Sequence, residues 1–437
     1  MGWSASVAAS SGRIGLLAVA AAFLSPAAVR AADAPDTSLL AAYANLDLAG
    51  ADGPRSWLDR DAIGLGGTGK ARFGNPNGDN LRLRPYGTEA GLVLQPDFGW
   101  SLSGLVSVIA QHGQDKAVDV NEAYMRWRPL AFGAVKLNVR AGIFYPPISL
   151  EHGSAEWPVT ETATPSAINS WIGEEVKVGG VEATFSTMIG EHRFALTGAA
   201  FELNDTAGTL LTFRGWALSD EKATLFSHQP LPVMNDFMRE GVQALDTRPM
   251  LDLDHRIGWY AKFTWAPPGP FQVQYLHYDN RGDPQALDAA LQWAWRTRFD
   301  HLGATLDLGA NTRLTAQAID GTTIMGYPGA GGIRWIDMRY RSAFLLATRQ
   351  LPRGSVSGRV EAFSTRNHGS EVTTEDNETG WAATAAMRWP LLRYATLLGE
   401  AVHIDSRRDA RLRKGVAPRQ NQNILRLTLR LRAGTGG

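Results

Sequence analysis

Apolar and polar residues alternate with a period of two along much of the chain. In "GWSLSGLVSVIAQ", Trp100, Leu102, Val106, Val108 and Ala110 share one face, while Ser101, Ser103, Ser107 and Gln111 share the other. In "AVKLNVRAGIFY", Val135, Leu137, Val139, Ala141, Ile143 and Tyr145 alternate with Lys136, Asn138, Arg140 and Gly142. In "NILRLTLRLR", Leu425, Leu427, Leu429 and Leu431 oppose Arg426, Thr428, Arg430 and Arg432. One face is oily and the other carries charge.

Soluble sandwiches alternate as well, so strand length and connection pattern decide the class. The alternating runs extend about ten residues or more, the length a tilted strand needs to cross a bilayer. Short joins rich in Gly and Pro, such as "QPDFG" (Gln95 to Gly99), "APPGP" (Ala266 to Pro270) and "QLPRG" (Gln350 to Gly354), take turns with long polar spans. The long spans fall near 146–175, 204–255, 280–297, 321–335, 366–378 and 405–419. Seven hairpins and the Arg/Leu strand make fifteen strands, and a run near Lys70 to Phe73 completes sixteen, the even number a closed single-chain barrel requires. The expected fold is all-β: a transmembrane antiparallel β-barrel with short periplasmic turns and long extracellular loops. Residues 32–66 read as an N-terminal periplasmic segment, 67–432 as the barrel and 433–437 as a C-terminal tail.

One strand stops abruptly, in "VRAGIFYPPISLEHGSAEWPV". Tyr145 stands where an interfacial aromatic girdle would be, and Pro146 and Pro147 remove two ladder donors beyond it. The loop that follows, 146–175, carries Glu151, Glu156, Glu161, Glu174 and Glu175, and is expected to fold inward and constrict the barrel.

Composition removes other classes. The 437 residues include no cysteine, which excludes disulfides, thiolate chemistry and Cys-ligated metals. Arg13 before the apolar run Ile14 to Leu24, with Val29 and Ala31 at small-residue positions, marks residues 1–31 as a cleaved secretory signal. The 43 basic and 43 acidic groups balance; losing Arg13 and Arg30 leaves a formal charge of −2.

The segment "DVNEAYMRWRPLAFGAVKLNVRAGIFYPPISLE", Asp119 to Glu151, resembles the phosphate-selective porin family, the porin O and P type channels. Ala123-Tyr124, Arg140, Gly142, Phe144, Pro147 and Glu151 carry the resemblance, which spans roughly 81–185. It implies a sixteen-stranded outer-membrane barrel, usually a homotrimer, that passes small solutes passively and needs no cofactor.

Charge then sets an expected selectivity. Only seven of the 43 basic residues are lysines; the rest are arginines, whose planar donors suit carboxylate and phosphate. If the oily face meets lipid, parity points Arg126, Arg128, Lys136, Arg140, Lys262, Arg339, Arg341, Arg359, Arg388, Arg426, Arg430 and Arg432 into the lumen. Glu122, Glu182, Asp307, Glu361 and Glu400 share that face. The basic excess predicts a positive wall that concentrates small anions, with some of the arginines spent on pairing these acids. Trp100, Trp127, Trp259, Trp265, Trp381, Trp389 and Tyr394 fall near strand ends and read as a girdle against outer-membrane lipid.

Other motifs carry less. "GLGGTGK", Gly64 to Lys70, imitates a phosphate-binding loop, but Ala71 replaces the metal-binding Ser/Thr, no hydrophobic strand precedes it, and "ARFGNPNGDN" behind it cannot be a helix. Neither a nucleic-acid site nor a metal site is indicated. A barrel-borne hydrolase using Asp254, His255 or His301 is one alternative; no spacing ties a serine, a histidine and an orienting acid together. Ser370 and His368 belong to the same reading. A receptor or adhesin barrel is another, through "PLPVMNDFMREGVQAL" (Pro230 to Leu245), whose Met234, Phe237, Met238 and Val242 have helical spacing. A soluble periplasmic β-protein is the third.

Overall fold

A computed structural model of the chain describes residues 39–59, 66–74, 80–234, 236–370 and 376–435. The expected signal segment, 1–31, lies outside them, as do Gly64 and Leu65 of the glycine-rich motif.

Sixteen antiparallel strands close on themselves. They are β1 (Leu40–Ala51), β2 (Arg84–Leu94), β3 (Leu102–Gln111), β4 (Asp119–Trp127), β5 (Lys136–Phe144), β6 (Val178–Ile189), β7 (His192–Glu202) and β8 (Gly258–Ala266). The second half comprises β9 (Phe271–Asp279), β10 (Arg296–Leu308), β11 (Thr312–Pro328), β12 (Arg334–Gln350), β13 (Ser355–Asn367), β14 (Glu378–Leu392), β15 (Ala395–Arg408) and β16 (Arg419–Thr435). Each strand pairs with its sequence neighbours, and β1 pairs with β16 from Leu40↔Thr435 to Ala51↔Ile424. Closure leaves no free sheet edge, so the backbone groups of the wall are satisfied within it.

The first strand differs from expectation. It is Leu40–Ala51, inside the span read as a periplasmic segment, where Tyr43, Asn45 and Asp47 face inward and Leu46 and Leu48 outward. Lys70 to Phe73 is instead buried chain inside the barrel, bridged in parallel at Ala71↔Leu218. At the other end, β16 continues to Thr435, into the expected tail.

Short turns and the seam between the chain ends lie on one rim. On the other, the described parts of three long connections turn back into the barrel: loop 1 (between β1 and β2, through 66–74), loop 3 (145–177) and loop 4 (between β7 and β8). Loop 3 carries helix α1 (Ala167–Glu175), every residue of which is buried, capped where the Ser166 side chain accepts from Asn169 N–H. Loop 4 carries α2 (Thr209–Phe213), also wholly buried, and α3 (Asp236–Arg239). Among the described residues, Pro230 to Leu245 therefore forms one helical turn, with Met234 buried and Met238 buried in a cluster that includes Trp293 and Trp295.

Aromatic rings fill the middle of the barrel. Trp171 of α1 stands edge-on to Trp216 of loop 4 (6.1 Å), Phe299 of β10 (5.6 Å) and Tyr340 of β12 (5.2 Å). An apolar interior follows, and with it a different inner face for the strands around it. Along β12, Ile336, Met338, Tyr340, Phe344 and Leu346 point inward, while Arg339 and Arg341 point out.

Candidate functional site in the barrel lumen

The lumen is built from wall residues of fixed parity and from the inward loops they hold. The resemblance motif forms the root of loop 3. Arg140 lies over the Phe144 ring at 4.0 Å and donates through Nε and Nη2 to Glu182 at 2.8 and 2.9 Å. It also donates to Tyr145 O at 3.0 Å. Gly142 has φ +138°, and a Cβ there would lie 2.2 Å from Ala123 O, so only glycine fits beside β4. Tyr145 is thus not a girdle residue: the chain turns inward directly after Phe144, and the Tyr145 ring stacks on Trp157 at 3.9 Å.

Inward acids hold the loop. Glu400 accepts from Ala163 and Thr164 N–H, and Glu361 from Ala167 N–H. Glu122 accepts from Tyr145 N–H at 3.0 Å. Glu151 accepts from Ser166 Oγ, Asn169 Nδ2 and Arg359 Nη1. Glu156 pairs with Arg432 at 2.6 Å and is buried. Glu161 accepts from Ser355 Oγ and borders a cavity of about 420 Å³ at the short-turn end, which Leu150, Asp307, Arg313, Thr315 and Thr348 also line.

Loops 1 and 4 are fixed by a second ionic chain. Asp47 of β1 pairs with Arg426 of β16 across the seam (2.7 Å), Arg426 with Asp220 of loop 4 (2.6 Å), and Asp220 with Arg72 of loop 1 (2.6 Å). Lys222 pairs with Glu89 at 2.6 Å and Lys70 with Glu378 at 2.5 Å. Gly215 makes the last contact accessible: φ is +80°, and a Cβ would fall 1.8 Å from Glu378 Oε2, which accepts from Trp216 N–H.

The predicted wall residues separate into four groups. Arg126, Arg140, Lys262, Arg388, Arg430 and Arg432 face inward and keep partial exposure, with Lys136 exposed at the short-turn rim. Arg359, Arg426, Glu182 and Glu361 face inward but are consumed by ion pairing, and Glu122 and Glu400 by hydrogen bonds to loop backbone. Arg339 and Arg341 were expected inside and lie outside, each bonded to Asp320; Tyr340 of β12 packs on Trp171, and Ile336 and Met338 join the cluster of Trp293 and Trp295. Arg128 sits in the turn after β4, exposed, and not on the wall. Asp47, Arg72, Glu89, Asp220 and Lys222 were missed. A signal was available for Asp47 alone, in "YANLDL" (Tyr43 to Leu48), where polar residues alternate with apolar ones.

Other candidate groups are dispersed. His255 Nδ1 lies 2.7 Å from Asp252 Oδ2 at the outer rim, and the pairing raises its pKa. His301 faces Gln317 inside the wall, so the two histidines do not share a site. Ser370 N–H and His368 N–H are bonded to the backbone of β12. Carboxylate oxygens of Asp205, Asp252 and Asp254 lie within 4.8 Å of one another in loop 4. Burial pushes Asp205 up to about 7, and the Asp254 and Asp252 charges add to it.

No family model matches the chain, and no curated protein matches it. Solved outer-membrane proteins do. The outer membrane channel DcaP of Acinetobacter baumannii aligns with TM-score 0.54 at 12% identity, over 90% of this chain and 96% of that one. An anion-selective porin from Comamonas acidovorans gives 0.49 at 13% identity, over 90% and 98%. OprB of Pseudomonas putida gives 0.47 at 11% identity, over 90% and 93%. The DcaP alignment agrees with the closed antiparallel β-barrel of sixteen strands.

Proposed function

We propose that the chain is an outer-membrane porin, a passive diffusion channel for small hydrophilic solutes with a mild preference for anions such as phosphate. One observation carries this reading, the sorting of charge in the lumen. Glu122, Glu151, Glu156, Glu182, Glu361 and Glu400 are buried against loop backbone and arginine, whereas Arg126, Lys136, Lys262, Arg388, Arg430 and Arg432 keep solvent-facing surface. Of the two half-buried acids beside the cavity, Asp307 is paired with Arg313 at 2.6 Å and Glu161 accepts from Ser355 Oγ. The surface a solute meets is therefore basic, and a basic wall concentrates anions. Loop 3 narrows the path from one side and loops 1 and 4 from the other.

The same reading places the protein in the outer membrane of a Gram-negative cell after cleavage of residues 1–31. It assembles as a homotrimer through the low side of the barrel, where β2 to β5 are 9 to 11 residues long and present small residues such as Gly104, Ala110 and Ala123. No cofactor takes part. Swelling of proteoliposomes tests the proposal: a small neutral sugar should enter, and an anionic solute of equal size should enter faster than a cationic one. Folded protein that leaves the vesicles impermeable to all three overturns it.

A further inference from the structure

The outer wall carries a charged collar that the lumen does not use. Cross-strand pairs place Arg298 of β10, Thr322 of β11, Arg339 of β12 and Arg366 of β13 in one row, all facing outward. The next row toward the short-turn rim holds His277, Asp300, Asp320, Arg341 and Ser364. Below that, charge ends abruptly. Leu302, Ala318, Ala343 and Ala362 form one row, and Ala304, Ala316, Leu345 and Val360 the next.

Height follows from strand geometry. Arg349, at the lower rim of β12, is ten residues from Arg339, about 33 Å along the strand and about 25 Å along the barrel axis at a tilt of about 40°. That is the height of the apolar band of an outer-membrane barrel, so Arg339 stands where hydrocarbon gives way to headgroups.

The carboxylates are already engaged. Asp300 accepts from the Tyr275 hydroxyl and lies 2.9 Å from His277 Nδ1, and Asp320 accepts from Arg339 Nε and Nη2 and from Arg341 Nε. Arg298 donates to the Thr322 hydroxyl, and among the described residues no carboxylate pairs with Arg298 or Arg366. Arg339 and Arg366 are direct cross-strand partners; Asp320 takes Arg339 Nε and Nη2, which leaves Arg339 Nη1 and the Arg366 guanidinium for a second anion. Guanidinium forks suit phosphate, and the apolar rows directly beneath accept only a ligand whose acyl chains run down the wall.

We infer that Arg298, Arg339 and Arg366 bind the phosphate groups of an anionic lipid in the outer leaflet. The site is independent of conduction. Titration of fluorescent lipopolysaccharide into the full, folded protein in neutral detergent, against fluorescent phosphatidylcholine, tests it; folding is checked by the shift in electrophoretic mobility on boiling. The wild type should prefer the phosphorylated lipid, and high salt should weaken it. Removing each arginine should cost about fivefold in affinity, in the single variant Arg366→Gln and more in the triple variant Arg298→Gln/Arg339→Gln/Arg366→Gln. The variant Arg407→Gln, which removes an exposed outer-wall arginine already paired with Asp409, should bind as the wild type does. Equal affinity in wild type and Arg366→Gln, or displacement by millimolar inorganic phosphate as effective as by unlabelled lipid, overturns the inference.

Discussion

Arg359 on β13 donates from Nη1 to Glu151 Oε1 of loop 3 at 2.7 Å, across 208 residues of sequence, and neither side chain is exposed. The same guanidinium donates to Glu361 Oε1 at 3.0 Å and to Thr164 O and Pro165 O. One arginine therefore holds both limbs of the loop against the wall. The variant Glu151→Ala leaves that guanidinium underpaired in the interior, and breaking a buried pair costs about 3–5 kcal/mol. Expected outcomes are protease cleavage between 152 and 161 and noisier single-channel current. Replacing both partners, Glu151→Leu with Arg359→Met, should be milder than Glu151→Ala alone, because no charge is left buried.

Wall charge is the second target. A unit charge about 8 Å from a passing ion is worth roughly 0.5 kcal/mol in water. Reversing two of them, Arg126→Glu with Lys136→Glu, should lower the anion-to-cation permeability ratio severalfold at 0.1 M salt. The effect should shrink at 1 M, where the screening length falls from about 10 to about 3 Å. Arg339→Glu with Arg341→Glu should leave selectivity unchanged, since both residues face away from the lumen. Reversal potentials of the two double variants decide it.

Trp171 is the keystone of the aromatic packing. Trp171→Ala leaves Trp216, Phe299 and Tyr340 facing a cavity, at a cost of about 3–5 kcal/mol to the packed loops. Larger unitary conductance should result. Trp100→Ala, at a girdle position that is 97% exposed, should not change it.

Loop 4 should respond to pH through Asp205. Its folded pKa is raised from 3.8 to about 7, so the packed loop holds this proton more tightly than an opened one. The stabilisation is complete below pH 3.8, declines as pH rises, and is lost above about pH 7. Hydrogen exchange at 203–209 should accelerate between pH 5 and pH 8 beyond the intrinsic rate change. Asp205→Asn should remove that excess.

Much of the barrel was legible because lipid on one side and polar surface on the other impose a strict period of two. β3, β5 and β16 were read in the correct parity for this reason, as were the outward Trp127, Trp259 and Trp381. β12 was misread because its inner face is as apolar as an outer one: Tyr340 touches Trp171 and Trp216, and its upper end stands clear of hydrocarbon. β1 was missed because glycine and proline after Ala51 resemble a flexible leader, whereas its partner is the last strand, at the far end of the sequence. The inward glutamates were seen as lining. Their true neighbours, the N–H groups of Ala163, Thr164 and Ala167, are more than 190 residues away in sequence for Glu361 and Glu400, and alternation carries no information about such contacts.

Reversal potential under a salt gradient, across a planar bilayer holding the purified, refolded protein, tests the central claim most directly. The account predicts steady open-channel current with a reversal potential of anion-selective sign, weakening as salt rises. A cation-selective sign, or no current from correctly folded protein, would contradict it.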